Sequence, residues 1–483
     1  MKRGYLLILC LLACLAGCSP APKYTRPEPP VPAQWPAGPG YQQAAVAAEG
    51  SQAQVLPWRE FFTDQKLRGL IEIALKSNRD LRLAALNVER ARAMYGIQRD
   101  ELLPTVDATA AGSRQRVPAD LSATGKRRTT EQYSVNLGVF SWELDLFGRI
   151  RSLKERALQD YLASEEARRG VQILLASSVA GAYMVLAADR ESLALAETTL
   201  AAQKDAYDLI KRRYDHGVAQ ELDLYRAQTQ VDAAAGDVAL FTRLIAQDEN
   251  ALCLLLGGPA PADLLPARLD DVVAPSELAA GLPSEVLLSR PDVLQAEAML
   301  KAAYADIGAA RASLFPRISL TAALGTASDE LSGLFKSGSG TWNYSAQASM
   351  PIFDTRAWLA VKVTKVQREM ALTQYEQAIQ TAFRDVADAL AARGTVDRQV
   401  ASQESLVKAV GETYRLSNAR YERGIDSYLS VLDAQRSLYA AQQGLVSLHL
   451  AKLTNQVRLY AALGGGADSS ATDLKPERQS AGL

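Results

Sequence analysis

Residues that could do chemistry are few in this 483-residue chain, and their placement argues against catalysis. It holds two histidines, His216 and His449, far apart in sequence, and four cysteines, Cys10, Cys14, Cys18 and Cys253. No group at metal-ligand spacing, no phosphate-binding glycine loop and no nucleophile elbow occurs. Neither an enzyme nor a sensor is therefore expected, nor a metal or soluble cofactor, and each histidine reads as a structural or surface residue. One further set shares a helix face: Leu429, Asp433 and Arg436, spaced four and three apart. By spacing alone, Asp433 and Arg436 read as an ion pair on a solvated face.

Cys18 is the exception. Met1-Lys2-Arg3 is a basic n-region, and Tyr5 to Leu15 is an apolar run too short to span a membrane. Leu15-Ala16-Gly17-Cys18 then resembles the bacterial lipoprotein signal, in which the Cys18 thiol takes a diacylglyceryl group and becomes the mature N-terminus. A plain secretory signal with an incidental cysteine is the alternative. Ser19 in place of aspartate fits sorting to the outer membrane. Cys10 and Cys14 leave with the signal, so only Cys253 remains, read as a buried, inert thiol in the apolar run Leu252 to Leu256.

These positions are set in a chain that is 48% hydrophobic with a net charge of −1, enough for a large core and too balanced for a nucleic-acid binder. It contains two copies of one unit. Arg213-Tyr214-Asp215-His216-Gly217 matches Arg420-Tyr421-Glu422-Arg423-Gly424, and the same register pairs Leu222 with Leu429 and Leu256-Gly257-Gly258 with Leu463-Gly464-Gly465. Each copy reads as a helical hairpin whose first helix ends at Gly217 or Gly424, where glycine takes the left-handed conformation. Ser427 is the expected N-cap of the last helix, and Gln220 its poorer counterpart.

Between the hairpins the period falls to two. Tyr133, Val135, Leu137 and Val139 alternate with polar residues or glycine, as do Ile318, Leu320 and Ala322, and then Trp342, Tyr344, Ala346, Ala348 and Met350. Thr105 to Ser113 is a weaker fourth strand. Polar loops are expected over 114–131 and 326–341. A small exposed sheet gives the same pattern, but strands of about ten residues flanked by aromatics fit an outer-membrane barrel. No stretch after the signal is expected to span as a helix. Four strands cannot close a barrel, and open edges in lipid leave backbone groups unpaired, so the barrel must be shared between chains, most simply as a homotrimer with twelve strands.

The helices are long: Gly148 to Tyr214 would reach about 100 Å at 1.5 Å per residue, with a narrow apolar stripe through Val171, Leu175, Val179, Ala182 and Leu186. Leu67 to Leu103 reads as one helix closed by Pro104. The resulting division is signal 1–17; tether 18–65; helix 66–104; strands 105–147; hairpin 148–256; side segment 257–289; helix 290–315; strands 316–354; hairpin 355–463; and a polar tail 464–483, disordered or equatorial.

Leu15-Ala16-Gly17-Cys18, the block Trp142 to Arg149, Leu314-Phe315-Pro316-Arg317, Pro351-Ile352-Phe353-Asp354 and Leu432-Asp433-Ala434-Gln435-Arg436, all in order, resemble the TolC superfamily. More narrowly they resemble the OprM-like (NodT-type) outer-membrane lipoproteins of tripartite efflux pumps. Thr355-Arg356 departs from the glycine pair of many relatives and leaves the bend there open. The resemblance implies an α+β membrane protein: a trimeric 12-stranded β-barrel continued by a 12-helix periplasmic α-barrel, with residues 18–65 and 257–289 around its equator. It implies an exit duct for small molecules, a periplasmic adaptor protein and, through it, an inner-membrane transporter of the resistance-nodulation-division type. In residues, it implies a periplasmic gate at Leu429, Asp433 and Arg436. Tethers between coils are implied at Arg420, Tyr421 and Tyr214, and adaptor-docking turns at Gly217, Val218, Gly424, Ile425 and Ser427. A duct for type I protein secretion and a non-transport coiled-coil envelope protein are the rival readings.

Overall fold

The computed structural model describes residues 20–41, 56–278 and 284–465. The expected lipidation at Cys18 and nearly all of the expected polar tail lie outside these residues. In chain order the elements are α1 (Trp58–Phe61), α2 (Gln65–Ser77), α3 (Arg79–Asp100), β1 (Asp107–Val117), β2 (Arg128–Leu144), α4 (Arg149–Asp215) and α5 (Glu221–Leu256). Then come α6 (Pro291–Ala312), β3 (Arg317–Ser328), β4 (Gly340–Ser349), α7 (Thr355–Glu422) and α8 (Tyr428–Ala462). The chain divides into two compact units, and α3, α4, α6 and α7 each contribute to both.

One unit holds the strands. They form a single antiparallel sheet in the order β1-β2-β3-β4, so β1 and β4 are open edges. The register builds one mainly apolar face, broken on β3 by Thr326 and Ser328. Ala108, Ala110 and Gly112 pair with Leu137, Val135 and Tyr133, which pair with Leu324, Thr326 and Ser328, while Leu324 and Ala322 pair with Trp342 and Tyr344. The opposite face carries Asn136, Ser134, Gln132 and Asn343. A bulge between Val139 and Trp142 inserts one residue into β2, with Ser141 at φ 59°. Because side-chain direction has period two, one extra residue reverses the faces. Trp142 and Leu144 therefore join the apolar face opposite Leu320 and Ile318, and Glu143 turns to the polar one. There Glu143 accepts from Arg149 at 2.8 Å and from Arg317 at 2.7 Å, joining strand ends to the start of α4. The Trp142–Arg149 block is thus the strand-to-helix joint, completed by Gly148 at φ 75°. At the corresponding joint in the second repeat, Asp354 accepts from the Arg356 amide at 3.0 Å, which settles the bend without a glycine pair.

Strands run further than the alternation suggested. The first expected loop shrinks to residues 118–127, and the second contains a short 3-10 turn, Leu331–Gly333. In the same unit, residues 20–28 lie along α6. The Pro20 carbonyl accepts from Arg311 at 2.9 Å, and Glu297 gathers Tyr24 at 3.0 Å, Lys301 at 3.0 Å and Arg26.

The other unit contains both hairpins and the side segment. Its core stacks Phe61 on Tyr460 (4.0 Å between centroids) and buries Leu67, Leu70, Ile71 and Ala74 of α2. Asp64 caps α2 through the Lys66 and Leu67 amides and also accepts from the Tyr183 hydroxyl at 3.3 Å. The helix expected over Leu67–Leu103 is broken at Asn78, whose backbone is extended. Asn78 Oδ1 accepts from the Leu81 amide at 2.9 Å and Nδ2 donates to the Leu255 carbonyl at 2.9 Å, so one side chain starts α3 and satisfies the end of α5. Beside it Gly257 takes φ 73°, and a Cβ there would stand 2.5 Å from the Ser77 carbonyl oxygen.

Two further sequence expectations fail here. Cys253 is half-buried, not buried. And α4 does contain a stretch long and apolar enough to cross a membrane, with half of it buried in the fold. Gly170 to Ala188 has no charged residue, because Val179, Tyr183, Met184 and Leu186 pack into the core of this unit. It is a core helix face.

Candidate functional site

The two hairpin turns are built alike. At the first, the Gly217 amide donates to the Tyr214 carbonyl at 2.8 Å and the Val218 amide to the Arg213 carbonyl at 2.8 Å. At the second, Gly424 donates to Tyr421 at 2.9 Å and Ile425 to Arg420 at 3.0 Å. Both are Schellman closures, with Gly217 at φ 73° and Gly424 at φ 72°. Val218 and Ile425 follow, both exposed, so each turn ends in an apolar side chain facing solvent. Ser427 occupies the N-cap position of α8, but its side chain makes no capping bond, and neither does Gln220 at α5. The expected difference in cap quality is therefore not realised: in both turns the Schellman closure fixes the geometry.

What differs between the copies is one acidic residue. Arg420 pairs with Asp426 across its own turn at 2.6 Å. The repeat places Ala219 where Asp426 stands, so Arg213 has no such partner in its turn. Instead Arg213 Nη1 donates to the Tyr421 hydroxyl at 2.7 Å, with its guanidinium 5.2 Å from the centre of the same ring. The end of α4 is thereby bonded to the end of α7. Of the three tether candidates, Tyr421 makes this link, Arg420 stays local, and Tyr214 is exposed. Arg213 was missed by sequence reasoning; the signal that would have found it is the exchange of aspartate for alanine between repeats.

Behind the turns, Ile210, Ala227, Tyr428, Val431 and Leu432 form an apolar cluster, extended by Tyr207, Leu224, Tyr414 and Tyr421. The period of α8 then fixes its other face: with Tyr428, Val431, Leu432 and Gln435 buried, Leu429, Asp433 and Arg436 stand exposed. Arg436 and Asp433 form an ion pair along that face. The structure thus brings the three gate candidates together on one surface, with no partner from another element among the described residues. A cavity of about 70 Å³ lies between α4, α7 and α8, and the Tyr428 hydroxyl is buried without a partner. Burial pushes that phenol up to about 12.

In the strand-bearing unit, the elements leading into the open edges also expose apolar side chains. Ahead of β1, α3 presents Met94 and Ile97; beyond β4, α7 presents Leu359, Val363, Val366 and Met370 at coiled-coil spacing. Trp342 of β4 is 76% exposed. An apolar sheet face, two open edges and two unpartnered stripes define a class: an outer-membrane channel whose wall needs further copies of the chain.

The sequence profile of the outer membrane efflux protein family matches residues 70–258 and 282–465, and the chain belongs to that family. It is 49% identical over 471 residues, 96% of each chain, to the probable efflux pump outer membrane protein TtgC of Pseudomonas putida. It is 41% identical to the outer membrane protein OprJ of Pseudomonas aeruginosa, over 95% of each chain. The open-state MtrE outer membrane channel of Neisseria gonorrhoeae superposes with a TM-score of 0.82 at 39% identity, covering 93% of this chain and 98% of that one. The chain therefore has the α+β fold of the trimeric TolC-type channels, and it is an outer-membrane efflux channel that extends into the periplasm.

Proposed function

We propose that three copies form the exit duct of a tripartite pump, which receives small molecules from a periplasmic adaptor and an inner-membrane transporter of the resistance-nodulation-division type. The observation that carries this is the sheet. Its mainly apolar face keeps its side through the bulge while both edges stay open, and in lipid those edges have to be paired by neighbouring copies. Relatives named for toluene and for antibiotic efflux make toluene and antibiotics the cargo to test first.

The passive duct needs a gate. Three copies of the exposed α8 face would set Leu429 as an apolar constriction and Asp433 as a carboxylate ring, with Arg436 pairing beside it. Asp433→Ala should raise single-channel conductance in planar bilayers; unchanged conductance in variants at Leu429, Asp433 and Arg436 would remove the assignment. Adaptor docking is placed at Gly217, Val218, Gly424, Ile425 and Ser427. A charged residue at either glycine would also strain a left-handed backbone, so Val218→Asp with Ile425→Asp is the cleaner test. It should abolish efflux-dependent resistance at unchanged trimer yield.

Acylation at Cys18 fits the same frame. Arg311 holds Pro20 near the end of α6, just before β3, and two further residues span at most about 7 Å. A lipid on Cys18 would enter the bilayer beside the strands. Labelling with radioactive palmitate, lost in Cys18→Ser, tests it.

A further inference from the structure

The lipid-facing side of the sheet changes character at the end remote from the helices. On β1 the alternation that places Ala108, Ala110 and Gly112 on the apolar face places Arg114 and Arg116 next along it. Arg114 stands opposite Glu131 and pairs with it at 3.0 Å; Arg116 stands opposite Thr129. The β1–β2 connection then adds Lys126 and Arg127, with Arg128 at the start of β2, all exposed. Arg116 and these three form no ion pair among the described residues. Five basic side chains thus meet two acidic ones, Asp120 and Glu131, in a chain of net charge −1. The β3–β4 connection at the same end carries Asp329, Glu330 and Lys336, so the basic character belongs to one hairpin only.

Position decides what this patch meets. Cations serving anionic cargo would line the polar, inward face, yet Arg114 and Arg116 continue the apolar face directly above the hydrocarbon band. There the neighbours are headgroups of the outer leaflet. We propose that Arg116, Lys126 and Arg127, with Arg114 beside them, bind the phosphate groups of a phosphorylated outer-leaflet lipid, one site per chain. Guanidinium groups pair phosphate oxygens bidentately, and removing three basic side chains at a membrane surface weakens binding on the order of a hundredfold.

The test uses the full-length protein in zwitterionic nanodiscs, titrated with diphosphorylated lipid A, with its dephosphorylated form, and with inorganic phosphate. The diphosphorylated lipid should bind. Its affinity should fall on the order of a hundredfold in Arg116→Gln/Lys126→Gln/Arg127→Gln, and fall far less in Arg116→Lys/Arg127→Lys, which keeps the charge and loses only the bidentate fork. Equal binding of the dephosphorylated lipid would overturn the proposal, as would wild-type affinity in the glutamine variant. Full displacement by inorganic phosphate at concentrations matching the lipid would reduce the patch to a free-anion site and overturn it too. Should the glutamine variant fail to assemble, the wild-type protein still decides: affinity has to fall from low to high salt, and salt-independent binding refutes the idea.

Discussion

The bond from Arg213 to Tyr421 joins the ends of α4 and α7, so parting the two hairpins has to break it. Tyr421→Phe removes the hydroxyl and keeps the ring with its packing against Tyr428, 5.2 Å away. A hydrogen bond from a charged donor is worth about 1.5–3 kcal/mol when buried; at this half-buried site about 1 kcal/mol is reasonable. That corresponds to about a fivefold shift toward the parted state. Arg213→Ala also loses the guanidinium–ring contact, worth about 0.5–1 kcal/mol at such a site. It should shift the equilibrium by about 10- to 30-fold. The assay is open probability of single channels in planar bilayers. Because Tyr421→Phe removes a bond that Arg213→Ala has already broken, the double variant should open no more than Arg213→Ala alone. Additive effects would show that the residues act separately and refute the tether. Arg420→Ala, whose partner lies in its own turn, should leave open probability close to wild type.

Three further perturbations test the joints. Inserting an alanine after Ser141 adds a second extra residue, shifts the alternation by one, sends Glu143 to the lipid face and should eliminate heat-resistant oligomers on unheated gels; Ser141→Gly, relieving a positive φ, should retain them and gain up to about 1 kcal/mol. Gly257→Ala meets both a left-handed backbone and the Ser77 carbonyl, and should cost at least about 2 kcal/mol in denaturant titration, against about 1 kcal/mol for Gly217→Ala, where a Cβ meets open space. Burial raises the Glu297 pKa, but hydrogen bonds from Arg26, Lys301 and Tyr24 outweigh it and hold this carboxyl below the ordinary glutamate value. Such a group stabilises the folded state above the unfolded value of about 4.3 and loses that contribution as pH falls through the lower folded one. Hydrogen-exchange protection factors in residues 20–28, corrected for the intrinsic rate at each pH, should therefore fall only at acid pH, and Glu297→Gln should lower them at neutral pH by removing about 1–2 kcal/mol.

Repeating, periodic features were legible in the sequence. Glycines at matched positions gave both turns, and alternation gave three strands with their faces, correct in β2 up to Val139, and only a weaker candidate for β1. The misses share a cause: each depends on a contact distant in sequence. Nothing local distinguishes Asn78 from a mid-helix asparagine until Leu255 is known to lie beside it. The reversal at Ser141 shows only as a lapse in period, which a weak strand end also produces. Ser427 has the type and position of a cap, yet its hydroxyl is not used, and Arg213 had to be compared with its repeat partner to stand out. At the gate candidates, residue type and spacing gave the shared face, whereas what occupies that face depends on neighbouring copies and has no signature within one chain.

Strands β1 and β4 can be closed only by other copies of the chain. The native mass of the full-length protein extracted from membranes, followed through stepwise denaturation with strand content monitored in parallel, tests it most directly. A three-chain particle is expected, with a strand signal that vanishes as the chains separate. A dissociated single chain that keeps its sheet in water would contradict it.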